Sequence, residues 1–108
     1  MRLAWLTDIH LNFLTADERR DFLRPLAERC EAVVVSGDIG ESPDIAQLLE
    51  EMEAALQKPI YFVLGNHDFY KGSIARTRDR VGKLARQSEH LVYLTQEGVV
   101  QLTPNTAI

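Results

Sequence analysis

Residues 32–68 read AVVVSGDIGESPDIAQLLEEMEAALQKPIYFVLGNHD, and this stretch decides the fold. It opens on a β-branched apolar run, Ala32–Ser36, of the kind that fills a strand in a parallel sheet. Ser42-Pro43 then supplies a capping Ser followed by Pro at the first helical position. Ile45, Leu48, Leu49, Met52 and Leu56 follow at helical spacing. Pro59 ends the helix, and residues 60–64 (IYFVL) form another apolar strand. A strand, a helix and a strand in this order predict a right-handed crossover with parallel strands. Each strand leads into a short polar loop: Gly37-Asp38 after the first, Gly65-Asn66-His67-Asp68 after the second.

The same alternation extends outward. Residues 2–7 are a short apolar run suited to a strand buried on both faces, and Asp8-Ile9-His10 follows it. Thr15 and Glu18 stand three apart as a capping box for a helix that carries Phe22, Leu23, Leu26, Ala27 and Cys30. Pro25 inside that pattern should kink the helix or end its first segment. On the other side, Ser73 caps a third helix with Ile74, Val81, Leu84 and Ala85 on one face and many Arg residues, taken as solvated, on the rest. Leu91–Leu94 and Val99–Leu102 are short β-like runs around Gln96-Glu97-Gly98, which reads as a hairpin turn. The expected fold class is α/β, a βαβαβ parallel core with a C-terminal β-hairpin.

At 108 residues the chain fits a single domain. Its net charge of −4 argues against a general nucleic-acid binder, so nucleic acid enters only as a substrate. A phosphate ester is still allowed, because bound cations would supply local positive charge. Cys30 is the one cysteine, which rules out an internal disulfide and suggests a reducing, cytoplasmic setting. No apolar run is long enough for a membrane span.

Ligands of parallel α/β sheets collect beyond the carboxyl ends of the strands. That rim should gather Asp8, His10, Asp38, Asn66 and His67. Residues two apart on an extended chain share a side, so Asp8 and His10 could grip one ion. Asp38 has two oxygens and could bridge two ions, Asn66 offers a neutral oxygen, and His67 is a ligand or an acid–base group. Such a mixed donor set suits Mn, Fe or Zn, and two ions could clamp a phosphate and activate water. Each residue alone would more simply be a turn or cap, and Asn66 could occupy a left-handed turn. Turn formation does not explain metal-competent groups at all three strand ends. His90 precedes a strand, at the opposite rim, and reads as exposed or capping.

Asp8-x-His10, Gly37-Asp38 and Gly65-Asn66-His67-Asp68 resemble, in order and spacing, the first three motifs of the calcineurin-like metallophosphoesterase family. The resemblance implies an α/β/β/α sandwich and a dinuclear hydrolase of phosphomonoesters, phosphodiesters or nucleotides. It implies that Asp8 and His10 hold the first metal, Asp38 bridges both, and Asn66 holds the second. His67 would act as proton donor, with Asp68 orienting its ring. Family members carry a further metal-binding His and a Gly-His-x-His motif, which do not occur before Ile108. Residues 1–108 are therefore expected to be a single, incomplete domain, the N-terminal half of the sandwich. Such a chain would hold two, one or no ions and be weakly active or inactive alone. The alternatives are a half-domain that assembles with another chain or with itself through an exposed sheet, and a non-catalytic scaffold that uses the same fold.

Overall fold

The computed structural model describes all 108 residues. Strands β1 (Leu3–Leu6), β2 (Ala32–Val35), β3 (Ile60–Phe62) and β4 (Leu91–Tyr93) form one parallel sheet in the order β1-β2-β3-β4. The crossovers are α1 (Ala16–Arg29), α2 (Ile45–Leu56) and α3 (Ile74–Gln87). Every crossover steps the same way across the sheet, so right-handed connections put all three helices on one face. Burial agrees with this. Val33, Val35, Ile60, Phe62, Leu91 and Tyr93 form one buried core with Leu23, Ile45, Leu49, Met52 and Val81 of the helices. A fully buried Leu or Ile stabilises such a core by about 1.5–3 kcal/mol.

The alternate register row consists of Trp5, Val34, Tyr61 and Val92, side by side across the four strands. None of these is buried, and Trp5 is 73% exposed. The expectation that residues 2–7 are buried on both faces is therefore corrected. β1 is the edge strand, and the face opposite the helices is bare.

Other sequence expectations resolve locally. Thr15 forms the full capping box with Glu18, each bonded to the other's backbone N–H. Pro25 does not end α1, which runs on to Arg29. Cys30 is buried as expected, one residue beyond the helix, with its thiol donating to the Leu26 carbonyl at 3.0 Å. Ser42 does not cap α2. Glu41–Asp44 forms a turn first, and Asp44 holds the cap position. The reason is tertiary: Ser42 N–H donates to the Tyr70 carbonyl at 3.0 Å, and its hydroxyl pairs with the buried Thr77 hydroxyl at 2.7 Å.

The C-terminal hairpin exists, but not between the runs expected to form it. Leu91–Tyr93 joins β3 in parallel, because Leu91 and Tyr93 can be buried there as a fourth strand. Residues Leu94–Glu97 make one helical turn, α4. The hairpin pairs β5 (Gln101–Thr103) with β6 (Thr106–Ala107). On α3 the cations engage neighbours: Lys83 pairs with Asp79 at 3.1 Å, Arg86 donates to Gln96 at 2.7 Å, and Arg78 lies over the Phe69 ring.

Candidate metal centre

The site is built where the ladder between β1 and β2 continues past the strands. Asp8 N–H donates to the Gly37 carbonyl at 3.2 Å, and His10 N–H to the Asp38 carbonyl at 3.0 Å. Leu11 N–H then donates to the Ile39 carbonyl at 2.8 Å. These bonds hold Asp8, His10 and Asp38 in the left-handed region, with φ of 52°, 42° and 56°. A side chain there costs roughly 1–2 kcal/mol per residue, and such strain concentrates at functional sites. The extended backbone expected to put Asp8 and His10 on one side is thus not what positions them. Two left-handed residues flank Ile9 instead.

Two glycines let the second and third loops touch. Gly37 has φ +104°, and a Cβ on it would stand 2.7 Å from the Gly65 nitrogen. A Cβ on Gly65 would stand 2.2 Å from Asp38 Oδ1. Gly65 itself has φ −98°, which any residue adopts, so its requirement is purely steric.

Asp68 fastens this junction from within. Its Oδ1 accepts from the N–H groups of Ile39 and Gly40, and its Oδ2 from those of Asp38 and Gly65, all at 2.8 Å. The side chain is completely buried. Burial raises its carboxyl above the ordinary range, and the four backbone bonds oppose that rise without cancelling it. The contact expected between Asp68 and the His67 ring is not formed. Both carboxylate oxygens are committed to backbone donors, and His67 Nδ1 meets Asp38 Oδ2 at 3.0 Å instead.

His10, Asp38 and His67 converge, each offering a ligand atom within 4.8 Å of the others'. Asp38 is nearly buried and His67 is 40% exposed at the side chain. Desolvation pushes the Asp38 carboxyl up. Hydrogen bonds from the His67 backbone and ring, with the nearby His67, outweigh it and leave the carboxyl below its ordinary range. Asp8 is exposed, oriented by the Thr7 hydroxyl at 2.7 Å, and stands outside this group of three. The Asp38 carboxylate and the two imidazoles form a borderline-to-hard donor set that suits a first-row divalent ion. Asn66 opens a 3₁₀ turn, Asn66–Phe69, with its side chain exposed on the same loop. His90 lies apart from the cluster, before β4, where its N–H donates to Glu53 at 2.8 Å.

Two residues that sequence reasoning passed over complete the picture. Phe13 stacks on His10, with ring centroids 5.6 Å apart, and Tyr70 lies against His67 at 4.5 Å. The signal was available: each aromatic stands three residues after its histidine, within a segment too short to be a helix of the core.

No helix is long and apolar enough to cross a membrane. A search of curated proteins and a search of solved structures each return no significant match. A profile of the calcineurin-like phosphoesterases, by contrast, matches residues 1–106. The profile spans the parallel sheet and all three strand-end loops, and the chain belongs to the calcineurin-like phosphoesterase family.

Proposed function

We propose that this chain acts in metal-dependent hydrolysis of phosphate esters. The observation that carries the reading is the convergence of His10, Asp38 and His67 from three separate strand-end loops. Asp8, His10 and Asp38 would hold one ion, and Asp38 with Asn66 would reach a second. Bound ions of this kind polarise the phosphoryl group and make water a competent nucleophile near neutral pH.

The chain's own groups divide the remaining work. The ionised Asp38 carboxylate can only accept, so His67 Nδ1 carries the proton between them. Nε2 then hands a proton to the leaving oxygen from the doubly protonated imidazolium, which returns to the neutral Nδ1–H ring as it does so. Asp68 acts as a positioning residue, fixing the loop that carries Asp38. Four side chains are few for two ions, so hydrolysis by these 108 residues alone is expected to be weak. A cytoplasmic setting accords with the single free, buried cysteine.

Titration calorimetry with Mn(II) and Zn(II) tests the reading. The wild-type chain should take up at least one ion, and Asp38→Asn or His10→Ala should lower that affinity at least tenfold. Absence of metal uptake, or uptake unaffected by both substitutions, would overturn it. Brisk Mn(II)-dependent hydrolysis of an aryl phosphate by the monomer would overturn the expectation of weak activity.

A further inference from the structure

His10 and His67 each carry an aromatic ring placed by the same device. His10 precedes the 3₁₀ turn Leu11–Phe13, and Phe13 N–H donates to the His10 carbonyl at 3.0 Å. His67 lies in the 3₁₀ turn Asn66–Phe69, and Tyr70 N–H donates to the His67 carbonyl, also at 3.0 Å. Side chains three apart eclipse in such a turn, so each aromatic lies against the histidine before it, Phe13 stacked at 29° and Tyr70 tilted at 47°. His10 and His67 also meet edge to face, at 5.0 Å. The result is a continuous line of four rings: Phe13, His10, His67, Tyr70.

The two outer rings stay open to solvent. Phe13 is 78% exposed and Tyr70 is 47% exposed. Orienting an imidazole needs one ring face, and burying the rest of the aromatic would be favourable. Instead the open surface of both rings is left at the mouth of the site, on either side of the donor cluster. A phosphate ester entering there would place its phosphoryl group at the histidines and its alcohol portion against Phe13 or Tyr70.

We infer that Phe13 and Tyr70 are specificity-determining residues that select phosphate esters whose alcohol carries a flat aromatic ring, as in aryl or nucleoside phosphates. The inference rests on the metal-phosphate reading above. Stacking of one flat ring contributes roughly 1–3 kcal/mol, equivalent to about a 5- to 150-fold gain in affinity. An aliphatic ester of equal charge would receive none of it.

Phenylphosphonate and methylphosphonate separate the two contributions, because they share a head group and neither is hydrolysed at its carbon–phosphorus bond. Their affinities are measured by calorimetry on the Mn(II)-loaded 108-residue chain. Phenylphosphonate should bind at least about fivefold more tightly. Phe13→Leu and Tyr70→Leu, which keep an apolar group against each imidazole but remove the flat ring, should together abolish that preference while leaving methylphosphonate affinity unchanged. Equal affinity for the two phosphonates would overturn the inference and leave the metal-phosphate reading standing. Loss of Mn(II) uptake in the variants would also overturn it, since the aromatics would then merely hold the histidines. Failure of the metal-loaded wild type to bind either phosphonate would overturn both.

Discussion

The carboxylate of Asp68, sealed from solvent, gathers four backbone N–H groups from loops that are 28 to 30 residues apart or adjacent to it in sequence. Replacing it with Asn tests that arrangement with almost no change in shape. The amide oxygen can still accept two of the four bonds, but the NH₂ group then faces two N–H donors. Each stranded donor costs about 1–3 kcal/mol, so with two of them Asp68→Asn should destabilise the fold by about 2–6 kcal/mol in urea denaturation. A loss under about 1 kcal/mol would mean that the junction does not depend on this carboxylate. At Gly65 the constraint is a contact, and Gly65→Ala should push the Asp38 carboxylate aside and weaken Mn(II) binding at least tenfold in a titration. Metal affinity equal to wild type would remove that steric role. At this scale the sequence was informative about the convergence of His10, Asp38 and His67, because strand ends are legible from apolar runs. It was misleading about Asp68, since an acid beside a histidine says nothing of distant N–H groups that fold onto it.

Helices show where local chemistry suffices and where it does not. The Thr15–Glu18 capping box was readable because both partners lie within one turn. The Ser42 cap was not, because its hydroxyl is claimed by Thr77, 35 residues away. A second long-range tie joins α1 to α2. Arg19 grips Glu51 through Nε at 2.5 Å and Nη2 at 3.0 Å, and donates through Nη1 to the Leu14 carbonyl at 2.6 Å. The hydrogen bond from Arg19 is the main reason the Glu51 carboxyl titrates below its ordinary range. A depressed folded-state pKa contributes stability above the unfolded pKa and loses it as pH falls through the folded value. Glu51→Gln should therefore be less stable than wild type at pH 7, by about 1 kcal/mol for a partly exposed charged pair. The difference should shrink as pH falls below the unfolded Glu range near about 4.3. Thermal melts of both proteins from pH 7 to pH 3 check this, and a constant gap across that range would contradict the linkage.

The arrangement of the whole molecule follows from strand order. Four strands in sequential order with three right-handed crossovers leave one sheet face without a helix. An apolar run in the sequence announces a strand, but not whether one face or both will be covered, and that is why β1 was expected to be buried. On the bare face Trp5, Val34, Tyr61 and Val92 form an apolar row. For the 108-residue chain in isolation, the partner such a face meets at rising concentration is a second copy, sheet against sheet. Size decides how strongly. Four strands about 4.8 Å apart and three or four residues long at about 3.3 Å each cover roughly 200–250 Å². A stable interface needs about 800 Å² from each partner, so the association should be weak and reversible. Sedimentation velocity should show a monomer at low micromolar concentration and a growing dimer boundary toward millimolar concentration. Trp5→Glu places a charge in the row and should hold the chain monomeric throughout, while metal uptake at the strand-end loops stays unchanged. A wild type that remains monomeric at millimolar concentration would show that roughly 200–250 Å² of apolar sheet is tolerated in water without a partner.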